Sequence, residues 1–182
     1  MSIWPVRLQK GTIRRPGEVA RAFARRGSRK LMMMRIYVLL VVMRGVIRAF
    51  SLQRISARLG APMAETPTAG VSDEQLRYAR SVGRAIDKAA PRTPTNSNCY
   101  PQALTAWWLL HRKRIPTTFY YGAAFDEDGT ALEAHVWLRC GPLVVTGGRQ
   151  RRRFAPLTWF ADQTSALGTT GRPKTTGNSG GR

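Results

Sequence analysis

The sequence predicts an α+β fold in which helices precede a small antiparallel sheet. Apolar residues recur at three- and four-residue steps from Leu76 to Ala89, a second apolar helix is signalled from about Cys99 to His111, and after Pro116 the period changes to two. A chain of 182 residues, 43% of them hydrophobic, has enough apolar surface to bury one globular core, which excludes a wholly disordered chain.

Taken in order, residues 1–62 hold 14 of the 30 Lys and Arg residues but only one of the ten acids, Glu18, a local charge of +13 out of +20. Within 31–50 the longest uninterrupted apolar run is 36–43, eight residues between Arg35 and Arg44. Spanning a bilayer takes about 20 apolar residues, so this stretch is not a span. Nor is it a signal peptide, because the basic lead-in is long and no A-x-A-like cleavage site follows. Arg44 and Arg48 are four apart and share a helix face. Residues 1–62 therefore read as a basic amphipathic helical region that docks on the domain or a partner, with peripheral contact to an anionic membrane as the alternative. Gly60, Pro62, Pro67 and Gly70 suggest a linker over 63–71, leaving 72–167 as the core. Residues 168–182 carry no large apolar side chain and read as a disordered basic tail.

Ser72 opens a helix. It forms a capping box with Gln75, Asp73 and Glu74 favour the positive end of the dipole, and Pro91 ends the periodic pattern. After a polar loop over 91–98, a second helix is expected from about Cys99 to His111, with Pro101 tolerated in its first turn. Strands follow over 117–125, 131–140 and 143–146, joined by an Asp/Gly turn at 126–129 and by Gly141-Pro142. Short connections imply an antiparallel meander.

Composition narrows function. Two cysteines cannot build a disulfide framework, and no C-x-x-C or Cys/His cluster has zinc spacing, so no metal or cofactor is expected and the compartment reads as cytoplasmic. The charge first suggests a nucleic-acid binder. No helix-turn-helix, RRM or zinc-finger signature appears, however, and the basic residues alternate with large apolar ones. The charge is better read as a docking surface for protein or peptide.

The two cysteines separate by position. Along 131–140, Leu132, Ala134, Val136, Leu138 and Cys140 form one face, the core side, and Glu133, His135, Trp137 and Arg139 the other. Cys140 therefore reads as a small buried hydrophobe. Cys99 opens a helix, where the macrodipole favours a thiolate and first-turn N–H groups lack intrahelical partners. A helix-borne Cys and a strand-borne His 36 residues on suit a Cys–His hydrolase or acyl transferase. The residues alone leave open a partly buried capping Cys beside a surface His.

The run Ser97-Asn98-Cys99-Tyr100-Pro101-Gln102-Ala103-Leu104, with Ala134-His135-Val136-Trp137-Leu138 and Val144-Val145-Thr146-Gly147-Gly148, resembles the lasso-peptide leader peptidases. These are transglutaminase-like B proteins, similar to the C-terminal domain of microcin-processing proteins; the likeness is strongest over 72–160. It implies a papain/transglutaminase-like cysteine peptidase that cuts the leader from a ribosomal precursor before a partner ATP-dependent cyclase closes the ring. By position, Cys99 would be the nucleophile and His135 the general base and then acid. Asn98, Gln102 and Trp137 would lie beside the site. Many family members place an Asp about twelve residues after the His, where this chain has Thr146-Gly147-Gly148. Asp162 is the only acid beyond His135. Three readings stay open: Asp162 folds back, a backbone or side-chain amide orients His135, or a dyad works alone. A weakly active or silent scaffold of the biosynthetic complex, or a basic nucleic-acid-binding module, is the alternative function. The helical 1–62 has no room for the winged-helix domain that grips leaders, so recognition is expected from a separate protein.

Overall fold

The computed structural model describes residues 16–93 and 98–162, with side chains described from residue 30 onward. Four helices, α1 (Pro16–Ala49), α2 (Leu52–Ser56), α3 (Asp73–Ala89) and α4 (Cys99–His111), combine with five strands. The strands are β1 (Ala61–Pro62), β2 (Thr117–Phe125), β3 (Leu132–Cys140), β4 (Leu143–Thr146) and β5 (Ala155–Asp162). They form one antiparallel sheet in the order β1-β5-β2-β3-β4. The expected α+β order is present.

The helix signals act as read. The Ser72 side chain accepts from the Gln75 N–H while the Gln75 side chain accepts from the Ser72 N–H, closing the capping box. Ala79, Val82 and Ile86 of α3 and Leu104 and Leu110 of α4 are buried, in one core with Val136, Leu138 and Cys140 of β3. Ile36, Leu40 and Met43 of α1 join the same core, so α1 packs against α3 and α4.

Two expectations need correction. The meander over 117–146 is only part of the sheet, because β5 returns to pair with the other edge of β2. Pro156 hid that strand, since a residue without an N–H demotes a run. Its place is the register shift at Tyr121/Gly122, where Gly122 faces Pro156 and the ladder is already interrupted. Gly122 also permits close approach: a Cβ there would come within 2.7 Å of the Trp137 ring and 2.8 Å of the Ala155 carbonyl oxygen. The segment 63–71 is not a free linker. Thr66 is buried, its N–H donates to Thr118 Oγ1 at 3.0 Å, and its carbonyl accepts from Arg139 Nη2 at 2.7 Å. The tail at 168–182 and residues 1–15 lie outside the described residues.

The sheet face turned away from the helices is covered too. Tyr120, Trp137 and Phe154 form a second apolar cluster. Beside it, the buried Arg139 donates to Tyr120 Oη, Gly141 O, Thr66 O, Thr118 Oγ1 and Glu65 Oε2. The supposed polar side of β3 is thus largely interior: His135, Trp137 and Arg139 are buried, and the Arg139 donors are met by acceptors on neighbouring segments.

Removing Arg139 strands those buried acceptors, whereas its ionic partner Glu65 is half exposed and screened. Arg139→Met is expected to destabilise the fold by about 3 kcal/mol. Glu65→Gln should cost no more than about 1 kcal/mol. Urea unfolding of both variants checks the difference, and equal losses would mean that the ion pair, not the hydrogen bonds, holds the strap.

Candidate active site

A cleft of about 870 Å³ lies where the first turn of α4 meets β4 and the loop after it. Its walls include Asn98, Cys99 and Gln102 from the start of α4, His135 from β3, and Thr146, Gly147, Gly148, Arg149 and Gln150 beyond β4. Cys99 and His135, 36 residues apart in sequence, thus border one cavity.

The local sequence explains how each gets there. Asn98 occupies the N-cap of α4 in extended backbone and makes no side-chain cap bond, so Cys99 is the first helical residue. Pro101 needs no acceptor at the third position, and the Gln102 N–H reaches Asn98 O at 3.4 Å. Gln102 stands one turn beyond Cys99 on the same wall. His135 comes from the β3 face opposite Val136 and lies beyond the last β3–β4 pairing, Leu138 with Thr146.

The imidazole is tightly held. Its Nε2 lies 2.8 Å from the carbonyl oxygen of Gly147. A carbonyl only accepts, so Nε2 carries the proton and the neutral ring keeps its lone pair on Nδ1. The ring stacks on Phe154 at 4.8 Å between centroids and on Trp137 at 6.0 Å. Trp137 in turn lies flat on Tyr120, at 5.2 Å and 7°. Gly147 adopts φ +73°, a left-handed turn that aims its carbonyl back at β3; a Cβ there would sit 2.5 Å from Val136 O.

Among the candidate residues, Asn98, Cys99, Gln102 and His135 meet at the cleft, and Trp137 reaches it only through the His135 ring. Asp162 does not fold back to this site. It ends β5, buried, and accepts from His111 Nδ1 at 2.7 Å, away from the cleft walls. The group that contacts His135 Nε2 is instead the backbone carbonyl of Gly147. Sequence reasoning did not single out Phe154, and it read Thr146 only as part of the Thr146-Gly147-Gly148 run that stands where many family members place an Asp. The buried Thr146 Oγ1 has no hydrogen-bond partner among the described residues and borders the cleft. Among the described residues, no group of three His, Cys, Asp or Glu side chains is placed to hold a metal.

Comparison with known proteins agrees with this architecture. A family model described as the transglutaminase-like superfamily matches residues 39–158, from the second half of α1 into β5, and the chain belongs to that superfamily. The mixed helix and antiparallel-sheet fold is papain/transglutaminase-like, and the superfamily includes cysteine peptidases and transglutaminases. No curated protein and no solved structure matches the chain.

The two thiols differ in access. Cys140 is fully buried in the core, and desolvation pushes its thiol up to about 11. Cys99 borders the open cleft. Iodoacetamide at neutral pH should label Cys99 in the folded protein and leave Cys140 intact until denaturant is added, as read by peptide mass mapping. Equal labelling in the folded state would contradict this burial pattern.

Proposed function

We propose that this member of the transglutaminase-like superfamily is a cysteine peptidase that removes the leader from a ribosomally made lasso-peptide precursor. The observation that carries the reading is the shared cleft of Cys99 and His135, with His135 Nε2 tied to Gly147 O. That bond leaves Nδ1 to act as the base. Supporting it are the superfamily match and the resemblance of the Asn98–Leu104 and Ala134–Leu138 motifs to leader peptidases.

In the proposed mechanism His135 Nδ1 takes the Cys99 proton and the thiolate sulfur attacks the scissile carbonyl. The first-turn N–H groups of α4 receive the oxyanion, helped by the positive end of the helix dipole. His135 returns the proton to the leaving amine as the C–N bond breaks, freeing the new N-terminus of the core peptide. Water, deprotonated by His135, then attacks the thioester carbon; the leader departs with a new carboxylate and the Cys99 thiol is restored. Ring closure on the freed amine falls to a partner cyclase. Leader recognition falls to a separate protein, with the basic rim at Arg149, Arg151 and Arg152 available to acidic leader residues. A carbonyl sets the His135 tautomer but lacks the full charge that steadies an imidazolium, so turnover is expected to be slow.

The test incubates precursor with this chain and its recognition partner and follows leader release by mass spectrometry. Cys99→Ala should abolish cleavage. Gly147→Ala should keep the fold by circular dichroism but lower kcat, by between about tenfold and the roughly 10⁴-fold that loss of a triad carboxylate costs. Full cleavage by Cys99→Ala overturns the mechanism. No cleavage by wild type, with precursor still bound, favours a silent scaffold of the same biosynthetic complex.

A further inference from the structure

The inner face of α1 is accounted for by Ile36, Leu40 and Met43 in the core. Its outer face is not. At 100° per residue, Leu31, Met34, Val38, Val41 and Val42 cluster on the side opposite that buried row, and all five are exposed, Met34 by 61% and Val38 by 53%. Around the stripe stand exposed cations, Lys30 and Arg48 along one edge and Arg35 along the other. An apolar groove of about 880 Å³ opens beside Val42, walled by Val46, Phe50, Trp107 and Trp108, and Arg54 and Arg58 edge it. From residue 19 to residue 64 the sequence contains ten Lys or Arg residues and no acid.

We propose that this face of α1 rests on an anionic membrane surface, with the valine and methionine stripe below the headgroups and the flanking cations on lipid phosphates. The pattern on α1 is an apolar centre between two cationic edges, and the apolar groove beside it is also lined by Arg54 and Arg58. A lipid surface meets both demands along the whole helix, because a dense layer of anions overlies continuous hydrocarbon. A protein partner would need an apolar ridge bordered on both sides by carboxylates. The long Lys and Arg stems let the charges rise to the headgroups while their methylenes stay in the apolar layer. No described helix is long and apolar enough to cross a membrane, so the contact is peripheral.

The test co-sediments the full chain with vesicles of phosphatidylcholine alone and of phosphatidylcholine mixed with phosphatidylglycerol. Binding is expected to the anionic vesicles, weakening as salt rises. The double variant Val38→Asp/Val41→Asp should lose at least about tenfold in affinity with an unchanged melting curve. Arg35→Glu/Arg48→Glu should weaken binding chiefly at low salt. Leu157→Asp, at an exposed apolar residue on β5, should bind as wild type does. Three results would each overturn the proposal: no binding, equal binding to both vesicle types, or a wild-type dimer in analytical ultracentrifugation that the Val38→Asp/Val41→Asp pair dissolves. The vesicle assay is independent of peptidase activity, so the two readings fail separately.

Discussion

A guanidinium held indoors organises the side of the molecule away from the helices. Withdrawing such a charge from water costs several kcal/mol, and the cost is offset only where every donor finds an acceptor. Arg139 finds them on three separate pieces of chain: the strap at Glu65 and Thr66, strand β2 at Thr118 and Tyr120, and the turn at Gly141. The anchored Tyr120 ring lies on Trp137, and Trp137 lies against His135. Stacking sets the plane of the imidazole, and the Gly147 carbonyl sets its rotation within that plane. A charge four residues along β3 from His135 is thus part of what keeps the ring still.

The cleft handles its electrostatics sparingly. A carboxylate behind His135 would supply a full negative charge, yet the acid beyond it in the chain, Asp162, is engaged with His111 at the end of β5. What stands behind the imidazole is a peptide dipole, which chooses the tautomer at no desolvation cost for a buried anion. The arrangement fixes the orientation and tautomer of the imidazole with a backbone group alone.

Much of this was legible along the chain because the signals were local. Ser72 with Gln75 marks one helix start, Pro101 and Pro116 bracket α4, and strict alternation assigns Cys140 to the core and His135 to the opposite face. What escaped depended on distant partners. Thr66 looks like linker until Arg139, 73 residues on, donates to its carbonyl. Strand β5 is disguised by Pro156, whose missing donor is harmless only beside the irregularity in β5 itself, where Leu157 is skipped opposite Tyr121 and Gly122. The twelve-residue spacing from His135 to Gly147 was visible, but spacing cannot show which way a carbonyl points. That depends on the left-handed turn at Gly147.

The close packing over Gly122 bears on how such a chain can change. The Trp137 ring and the Ala155 carbonyl have both closed over the space that a Cβ would need. Enlarging position 122 demands a smaller ring at 137 and a shifted β5 together, and either change alone leaves a clash or a void. No single substitution leads away from the glycine at little cost. Position 122 is thus held from two sides at once, by a ring on β3 and a carbonyl on β5.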